Sequence, residues 1–388
     1  MSSEVFNKLD PARLPSPCFV IDEVTLEHNL QLLNQLQQDA GVRILLALKA
    51  FSMFRVAPLV MKYLDGTCAS GLWEARLGRQ EFGGEVHTFS TAFDARDINE
   101  VFELSDHVVF NSPGQWHRFR NQALQAQQLR PQLEFGLRIN PEHREAETDL
   151  YDPCAPASRL GVRVSNLEAM DLSGITGFHL HTLCDQLYAP LERTLDVVEA
   201  KFGDLLESAE WLNLGGGHLL THADYDRQSL VERLGHLRDR YSLQLYLEPG
   251  TAVALNTGVL VTEVLDTPNS GVQQAILNCS PTCHSPDVLE APYRPGVIGA
   301  GEAGSRAHTY QLGGTSCLAG DVFGVYSFDQ PLQIGERLMI EDQAYYTMVK
   351  MSTFNGLKLP AIVLWNSDTG EIEVVREFGY QDFRQRLS

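Results

Sequence analysis

A lysine follows an apolar run at residues 43–48, in the segment Arg-Ile-Leu-Leu-Ala-Leu-Lys-Ala. Such a run predicts a buried strand, and Lys49 would then stand where that strand leaves the sheet. Desolvation at this position favours the neutral amine, which attacks carbonyl groups and forms a Schiff base. Lys49 is therefore a candidate nucleophile. A solvated lysine that merely ends a strand is the alternative.

Other residues with useful chemistry also follow apolar runs. In a barrel of parallel strands, catalytic groups lie at the carboxyl ends of the strands. These residues could therefore meet Lys49 in one site. They are Ser70, Arg138, Asn140, His179, His181, the glycines at 215–217, and Glu248 with Pro249 and Gly250.

Glu248 ends the apolar run Leu-Gln-Leu-Tyr-Leu and is predicted to point inward. A buried carboxylate needs a cationic partner, and the ring nitrogen of pyridoxal phosphate (PLP) is one. The imidazole of His181 can stack on such a ring, and the backbone N–H groups of residues 215–217 can close on a phosphate. A surface carboxylate, a core histidine and an ordinary turn are the alternatives.

Two motifs carry metal-ligating side chains. They are His179-x-His181 and the stretch Cys279-x-x-x-Cys283-His284. No second Cys/His pair at zinc-finger spacing completes a closed site. The sequence therefore favours a site without a metal. No Gly-x-Gly-x-x-Gly opens a helix after a strand, so a dinucleotide site is unsupported.

The composition is that of an ordinary globular enzyme: 388 residues, 44% hydrophobic and 21% charged. The net charge of −20 argues against a nucleic-acid partner. No apolar run is long enough to span a bilayer, and the first residues lack the features of a signal peptide. Seven scattered cysteines do not form a disulfide framework. We expect a cytoplasmic protein with no membrane partner.

Short β-type runs alternate with helical segments such as 25–38 and 190–206, whose apolar residues recur at spacings of three and four. This alternation predicts parallel strands joined by helices, and eight strands favour a (β/α)₈ barrel over residues 22–250. An open, doubly wound sheet is the alternative. The runs are 43–48, 63–69, 85–90, 107–111, 134–140, 175–181, 211–215 and 243–248.

After residue 250 the β-type runs are separated by Gly, Pro and Asp, with few helical segments between them. This pattern predicts an antiparallel β domain of sandwich or barrel type, formed by residues 1–21 and 251–388. The Gly- and Ala-rich stretch 296–305 is predicted to be a loop. The runs are 259–265, 274–278, 307–312, 336–340 and 361–366.

The order of the motifs resembles the alanine racemase-fold PLP decarboxylases, whose best-known members are the ornithine and diaminopimelate decarboxylases. The resemblance covers nearly the whole chain. Its motifs are Lys49, Gly-Phe-His-Leu-His at 177–181, Gly-Gly-Gly at 215–217, Glu-Pro-Gly at 248–250, Gly-Thr-Ser-Cys-Leu-Ala-Gly-Asp at 314–321, and Tyr346 with Ser-Thr-Phe-Asn-Gly at 352–356.

The resemblance implies a role for each matched residue. Lys49 would form the Schiff base with PLP, His181 would stack on the ring, and Glu248 would pair with the ring nitrogen. The glycine triplet and Tyr346 would hold the phosphate. The expected cofactor-binding set is Lys49, Ser70, Arg138, His181, Gly215, Gly216, Gly217, Glu248, Gly250 and Tyr346.

The resemblance also implies a homodimer whose active sites are completed across the interface. Cys317 of the neighbouring subunit would give a proton to the carbanion that remains after CO₂ is lost. Asp321 would lie nearby and recognise a substrate amine. An inert buried thiol is the alternative for Cys317.

Four positions depart from the ornithine and diaminopimelate enzymes. The lysine motif there is usually Tyr-Ala-x-Lys-Ala-Asn, whereas Phe51 stands here in place of Asn. Thr251 replaces a phosphate-binding arginine, and Cys184 replaces a serine after the strand-six histidine. Leu318 stands where an acid follows the interface cysteine. Simple ornithine or diaminopimelate decarboxylation is therefore not the favoured prediction.

Together with these departures, the segment Cys-His-Ser-Pro-Asp-Val-Leu-Glu-Ala-Pro-Tyr-Arg-Pro at 283–295 resembles the carboxynorspermidine decarboxylase branch of polyamine synthesis. That branch converts carboxynorspermidine to norspermidine and carboxyspermidine to spermidine. Because the distal amines of these substrates are cationic, Asp287, Glu290 and Asp321 are expected to bind them. Arg294 would contact a carboxylate or another side chain.

Three alternatives remain. A diaminopimelate or ornithine/arginine-type decarboxylase would share the fold and the chemistry. A racemase of this fold normally places an arginine at the ring nitrogen, so Glu248 argues against it. A catalytically dead regulator would be expected to have lost the lysine or the phosphate ligands, and both are present.

Overall fold

The computed structural model describes residues 2–146, 148–167 and 170–388. It divides into two compact units, one formed by Asn29–Val253 and the other by the residues up to His28 together with Ala254–Ser388. The domain limits expected from the sequence, at 21/22 and 250/251, lie a few residues before the limits of these units.

The strands are β1 (Cys18–Asp22), β2 (Arg43–Ala47), β3 (Gly66–Ala69), β4 (Glu85–Phe89), β5 (His107–Phe110), β6 (Glu134–Arg138), β7 (Gly177–His179), β8 (Trp211–Asn213), β9 (Gln244–Leu247), β10 (Gly258–Asp266), β11 (Gln274–Leu277), β12 (His308–Gly313), β13 (Val322–Phe328), β14 (Arg337–Glu341), β15 (Ala361–Trp365) and β16 (Ile372–Arg376).

The α-helices are α1 (Ser2–Phe6), α2 (Glu23–Ala40), α3 (Ala57–Val60), α4 (Leu72–Leu77), α5 (Ile98–Leu104), α6 (Pro113–Leu129), α7 (Tyr188–Leu206), α8 (Arg227–Tyr241), α9 (Thr251–Ala254), α10 (Pro281–His284), α11 (Asp287–Glu290), α12 (Thr347–Lys350) and α13 (Tyr380–Arg384). In the described part of the chain, none of them is both long and apolar enough to cross a membrane.

Local signals set the ends of the longer helices. Ser112 precedes α6, and its hydroxyl accepts the N–H of Gln115, while Pro113 supplies the first helical residue. At α8, a carboxylate oxygen of Asp226 accepts the N–H of Ser229. These caps satisfy N–H groups that have no partner inside the helix.

Strands β2 to β9 form a closed barrel in which every pairing is parallel. The barrel closes where β9 returns to β2, with Arg43 opposite Tyr246. The (β/α)₈ prediction is confirmed. All eight carboxyl ends consequently face the same end of the barrel, so that residues far apart in sequence meet there.

The interior of the barrel is filled below that end. Leu45, Cys68, Val109, Trp211 and Tyr246 form one buried cluster. Side chains of a strand alternate between its two faces. The next inward-facing residue of each strand therefore lies above this filled layer, at the mouth of the barrel. These residues include Phe89 and Asn213, at the ends of β4 and β8, and Glu248, directly after β9; each lies two positions beyond an inward residue.

Two histidines share the filled layer. The rings of His87 and His107 stack with centroids 3.9 Å apart and planes 12° apart. Burial lowers the pKa of His87 to about 4 and, with help from His87, that of His107 to about 2. Both imidazoles are therefore neutral at physiological pH.

The second unit contains one sheet in the order β13-β12-β11-β10-β1-β15-β16, with β14 paired to β10. The prediction of a purely antiparallel domain is wrong at two pairings, because β1 runs parallel to β15 and β11 runs parallel to β12. The amino-terminal strand β1 lies in the middle of the sheet, and no local pattern in the tail reveals a strand from the other end of the chain.

Candidate active site

A cavity of about 200 Å³ opens at the carboxyl ends of the barrel strands. Lys49 lines it two residues beyond the end of β2. The structure also brings several other residues that were singled out in the sequence to this cavity. They are Ser70, Arg138, His179, His181 and Glu248.

His181 links Lys49 to the glycine triplet. Its Nε2 lies 3.3 Å from the Lys49 Nζ. Its Nδ1 accepts the backbone N–H of Gly216 at 3.1 Å. Burial, reinforced by the charges of Lys49 and Arg138, holds the pKa of His181 well below its usual range. The imidazole is therefore neutral.

Both carboxylate oxygens of Glu248 have hydrogen-bond partners. Its Oε2 lies 3.1 Å from Nε2 of His179, and its Oε1 accepts a hydrogen bond from Nδ2 of Asn213 at 2.6 Å. Burial alone would raise the pKa of Glu248, but His179, His87 and Asn213 together lower it to about 2. A carboxylate only accepts hydrogen bonds, so Nε2 of His179 carries the hydrogen.

Arg138 supports this end of the barrel from its position at the end of β6. Its guanidinium donates to the backbone oxygen of His181 at 2.7 Å and lies 4.7 Å from the ring centroid of Phe89. The Phe89 ring in turn stacks on His179 at 5.4 Å. Burial lowers the pKa of Arg138 to about 10, so it remains a cation.

Two N–H groups of the glycine triplet form hydrogen bonds within the protein. Gly215 donates to Oδ1 of Asn213 at 2.8 Å, and Gly216 donates to His181. These internal hydrogen bonds compete with the expected binding of phosphate by all three N–H groups. Gly217 has φ +84°, and a Cβ there would lie 1.9 Å from the backbone oxygen of Leu183, so only glycine fits.

Gly250 and Asn140 have clear packing roles. A Cβ on Gly250 would lie 2.5 Å from the Cβ of Ala50, so the chain after Glu248 passes close to the chain after β2. The amide of Asn140 donates to the backbone oxygens of Pro153 and Leu160. Asn140 thus orders the loop that follows β6 and does not line the cavity.

In the second unit, Cys317 is exposed, and its N–H donates to Oδ1 of Asn355 at 2.8 Å. Asp321 is buried, and one of its oxygens accepts from the hydroxyls of Ser280 and Thr282. Its other oxygen accepts the N–H of Ser316, next to Cys317, at 3.1 Å. Through these contacts Asp321 holds the Cys317 loop in place. Its expected role in binding a substrate amine stays a prediction.

Asp287 and Glu290 share one cation. The ammonium of Lys350 lies 2.5 Å from Oδ1 of Asp287 and also donates to Glu290. Arg294 has structural contacts. It lies 4.3 Å from the ring centroid of Tyr326, donates to the backbone of β13 and pairs with Glu302.

Tyr346 immediately precedes α12 and has φ +48°. Positive φ in a residue with a side chain costs of the order of 1–3 kcal/mol and is found most often at functional positions. This strain supports a functional role for the turn that carries Tyr346. Its expected role at the phosphate remains a prediction.

Neither metal-type motif gathers its ligands around one point in the described residues. Burial raises the pKa of the Cys279 thiol to about 12, and also raises that of Cys283, so neither is the thiolate that binds metals. In those residues, one group places three ligand atoms within 4.8 Å of one another, namely Glu85, His87 and His107. The nearly parallel rings keep the two nitrogen lone pairs from converging on one ion.

Sequence reasoning missed the partners that hold Glu248. His179 was considered as a residue at the end of its strand and as a metal ligand, but not as a partner of Glu248, and Asn213 and Phe89 were not considered. Alternation along the strands carried the signal, because all three lie at inward positions at the ends of β7, β8 and β4.

The residues of the cavity fit PLP. An amine, a flat imidazole and an ionised carboxylate line the same space, through Lys49, His181 and Glu248. They match the three chemical features of the cofactor: an aldehyde, a flat ring and a basic ring nitrogen.

Known proteins agree with this chemistry. The family model described as pyridoxal-dependent decarboxylase, C-terminal sheet domain, matches residues 18–344. The chain is 46% identical to a carboxyaminopropylagmatine decarboxylase from Synechocystis sp., covering 100% of both proteins. It is 39% identical to a carboxynorspermidine/carboxyspermidine decarboxylase from Campylobacter jejuni, covering 96% of this chain and 99% of the relative.

Solved structures extend the comparison. The crystal structure of carboxynorspermidine decarboxylase complexed with norspermidine, from Campylobacter jejuni, has a TM-score of 0.88 at 37% identity and covers 96% of this chain and 100% of its own. Diaminopimelate decarboxylase from Helicobacter pylori has a TM-score of 0.82 at 16% identity and covers 97% of each chain. At that identity it shows the fold alone. The full-length relatives and the family model together establish that this chain belongs to the pyridoxal-dependent decarboxylases.

Proposed function

We propose that the protein is a PLP-dependent decarboxylase that converts carboxynorspermidine to norspermidine and carboxyspermidine to spermidine. The observation that carries the chemistry is the placement of Lys49, His181 and the ionised Glu248 around one cavity. The substrate class rests on the full-length relatives that are named for these compounds.

PLP held in this cavity supplies an acceptor for the electron pair released when the bond between the α-carbon and the carboxylate breaks. Glu248 would hold a proton on the ring nitrogen and so favour that electron flow. His179 and Asn213 would keep Glu248 ionised and fixed in place. His181 would lie against the ring, and Lys49 would hold the aldehyde carbon and release the product.

The distal amines of the substrate require acidic partners, and Asp287 with Glu290 is the proposed pair. The contact with Lys350 supports this choice, because the pair already holds one alkylammonium group. Asp321 would instead shape the loop of Cys317. We also propose that the protein is a homodimer and that Cys317 of one subunit gives a proton in the site of the other.

The relative from Synechocystis sp. favours a second candidate substrate. Its name identifies carboxyaminopropylagmatine, and agmatine ends in a guanidinium where the spermidines end in an ammonium. A guanidinium can bind a carboxylate through two parallel hydrogen bonds. The identity of 46% makes this compound a necessary competitor in any assay.

We propose a cytoplasmic location. All seven cysteines lie in the described residues, and none of them forms a disulfide bond there, which suits a reducing compartment.

The cofactor is tested by colour. The purified wild-type protein should show visible Schiff-base absorbance, and Lys49→Ala should abolish it. Lys8 is exposed, so Lys8→Ala is the matched control and should stay yellow. A wild-type protein that binds no PLP would overturn the proposed function.

The substrate is tested by comparing kcat/KM for carboxynorspermidine, carboxyspermidine, carboxyaminopropylagmatine, diaminopimelate and ornithine, measured by amine product. Preference for the first two would support the proposal. Preference for carboxyaminopropylagmatine would support the second candidate substrate instead. Preference for diaminopimelate or ornithine would refute both while leaving the chemistry intact.

A further inference from the structure

We propose that the last residues of the chain position the Cys317 loop, which joins β12 to β13. The terminal segment, defined as residues 380–387, holds the turn at residues 353–356, and Asn355 of that turn holds the backbone of Cys317. The inference deepens the proposed function, because its consequence for catalysis rests on Cys317 as the proton donor. It adds a positioning element that none of the sequence motifs indicated.

The contact that fixes Cys317 is made by its backbone. The Cys317 N–H donates to Oδ1 of Asn355 at 2.8 Å. Asp321 holds the same loop independently, since it accepts the N–H of Ser316 at 3.1 Å. Cys317 and Asn355 are both exposed, so side-chain packing contributes little to the position of either. The direction of the Asn355 side chain therefore depends on the backbone of the turn.

The backbone of the turn needs support from its surroundings. Asn355 and Gly356 follow each other with φ values of +59° and +71°. Asparagine tolerates this left-handed region better than most residues, but the region remains a minority conformation for it. Part of the support comes from α10. The N–H of Ser352 donates to the backbone oxygen of Cys283 at 2.7 Å, and the Cys283 thiol donates to that of Phe354 at 3.5 Å.

The terminal segment supplies the rest of the support. Nη1 of Arg386 donates to the hydroxyl oxygen of Thr353 at 2.7 Å. Thr353 is only 5% exposed, so the guanidinium reaches a group that water hardly contacts. The ring of Phe383 lies beside Gly356, where an added Cβ would be 3.8 Å from it. Phe383 and Arg386 also line one groove together with residues 352–356.

Contacts with the rest of its unit, rather than helical propensity, hold the terminal segment. Its helix α13 has five residues, and helices this short are marginal by themselves. The N–H of Gly379 donates to one carboxylate oxygen of Asp382 at 2.7 Å, and Arg376 of β16 donates to the other at 3.0 Å. A change at Arg386 therefore weakens the contact with the turn while these contacts with β16 stay in place.

These bonds form one path from the chain end to Cys317. Arg386 fixes Thr353, whose backbone oxygen accepts the N–H of Gly356 at 3.0 Å within the same turn. Without Arg386 the turn is freer to adopt commoner backbone conformations, which would carry the Asn355 amide away from Cys317. The thiol would then be less often in the position that proton transfer requires.

The test compares hydrogen exchange at two backbone amides of the PLP-loaded enzyme. Mass spectrometry with fragmentation to single residues gives the exchange rates of Cys317 and Ser316. Arg386→Ala should raise the Cys317 rate by about fivefold, which corresponds to the loss of one hydrogen bond. The Ser316 amide is bound by Asp321 and should keep its wild-type rate. Asn355→Ala removes the acceptor itself and should raise the Cys317 rate at least as much.

Three further variants isolate the contact. Arg384→Ala is the matched control, because Arg384 is exposed on the same helix, and it should leave both rates unchanged. Thr353→Val keeps the shape of the side chain but removes the acceptor, so it should match Arg386→Ala. Combining these two changes should add nothing, since both remove one hydrogen bond. Arg386→Lys keeps a donor and should restore part of the protection.

The same variants are assayed for turnover. Arg386→Ala should lower kcat and raise the fraction of turnovers that end in transamination, as expected for Cys317→Ala. KM should stay at the wild-type value, because the groups that bind the substrate are unchanged. Arg386→Lys should recover part of the loss, and Arg384→Ala should behave like the wild type.

A Cys317 exchange rate that Arg386→Ala leaves unchanged would overturn the inference. So would equal increases at Cys317 and Ser316, which would indicate a general loosening, or an equal increase in Arg384→Ala. Unaltered kcat and products in Arg386→Ala, with Cys317→Ala impaired, would overturn it as well. The proposed function fails separately: normal turnover of Cys317→Ala would remove the proton donor, and the exchange rates would still decide whether the terminal segment positions the loop.

Discussion

At the scale of single residues, Glu248 has the strongest chemical constraint. Two donors, His179 and Asn213, hold it, and its pKa of about 2 keeps it ionised across the working range. We predict that Glu248→Gln lowers kcat by about 10²–10³-fold, the usual loss when one stabilising group is removed from a site. Its PLP content should remain that of the wild type.

Glu100→Gln is the matched control for this change. Glu100 is a partly exposed partner of Arg76 on the surface, so the variant should keep the wild-type rate. A Glu248→Gln enzyme with unaltered kcat would remove the carboxylate from the mechanism.

Cys317 is the second residue with a distinct test. The thiol is exposed, and its loop is held by Asn355 and Asp321. We predict that Cys317→Ala slows product formation or diverts the reaction toward transamination, because the proposed proton donor is lost. PLP absorbance should persist. Normal turnover to the normal amine, measured by product analysis, would exclude this role.

At the scale of elements, two glycines of the barrel make room for one indole. Cβ atoms at Gly136 and Gly177 would lie 2.3 and 2.1 Å from the ring of Trp211. The sequence Gly-Phe-His-Leu-His was noticed for its histidines, but its glycine is required by the packing of β6, β7 and β8.

We predict that Gly177→Ala destabilises the protein by about 1–3 kcal/mol, because the extra methyl group overpacks the barrel interior. Denaturant unfolding measures the change. Gly235→Ala is the control. Gly235 lies inside α8 with nothing within 4 Å of the added carbon, so alanine there should stabilise by about 0.5–1 kcal/mol. Equal effects at the two sites would contradict the packing argument.

At the scale of the whole molecule, the proposed homodimer is tested by complementation. Lys49→Ala and Cys317→Ala subunits should each have low activity alone. Mixing them should restore part of it, because one of the two sites in each heterodimer then has both groups. Native mass spectrometry confirms that heterodimers form. If they form and activity does not return, the shared site is refuted.

The buried histidines predict acid sensitivity. Burial lowers the folded-state pKa of His87, His218 and His284 from 6.5 to about 4. Below pH 6.5 the unfolded chain binds these protons first. Stability should therefore fall with pH from 6.5 to about 4, by about 1.4 kcal/mol per pH unit for each histidine.

Urea unfolding between these pH values, with PLP present throughout, measures the slope. His87→Gln should reduce the slope by about one proton, whereas His28→Gln, at an exposed position, should leave it unchanged. An unaltered slope for His87→Gln would show that His87 is not the group that titrates.

The sequence determined the parts of this protein that depend on local pattern and order. Alternating apolar runs and helical segments predicted the parallel barrel, since each strand signals its own burial. The order of motifs predicted the decarboxylase family, which the relatives confirm. The positions of Lys49, His181 and Glu248 after their strands brought them to one end for the same reason.

Only the tertiary structure decided what those residues contact. His179 and Asn213 are hydrogen-bonded to Glu248, and His181 accepts the N–H of Gly216. These bonds join strands that are distant in sequence. So does the insertion of β1 beside β15, which made the second sheet mixed. Hydrogen-bond partners and strand neighbours depend on distances between chain segments, and periodicity along one segment carries no information about them.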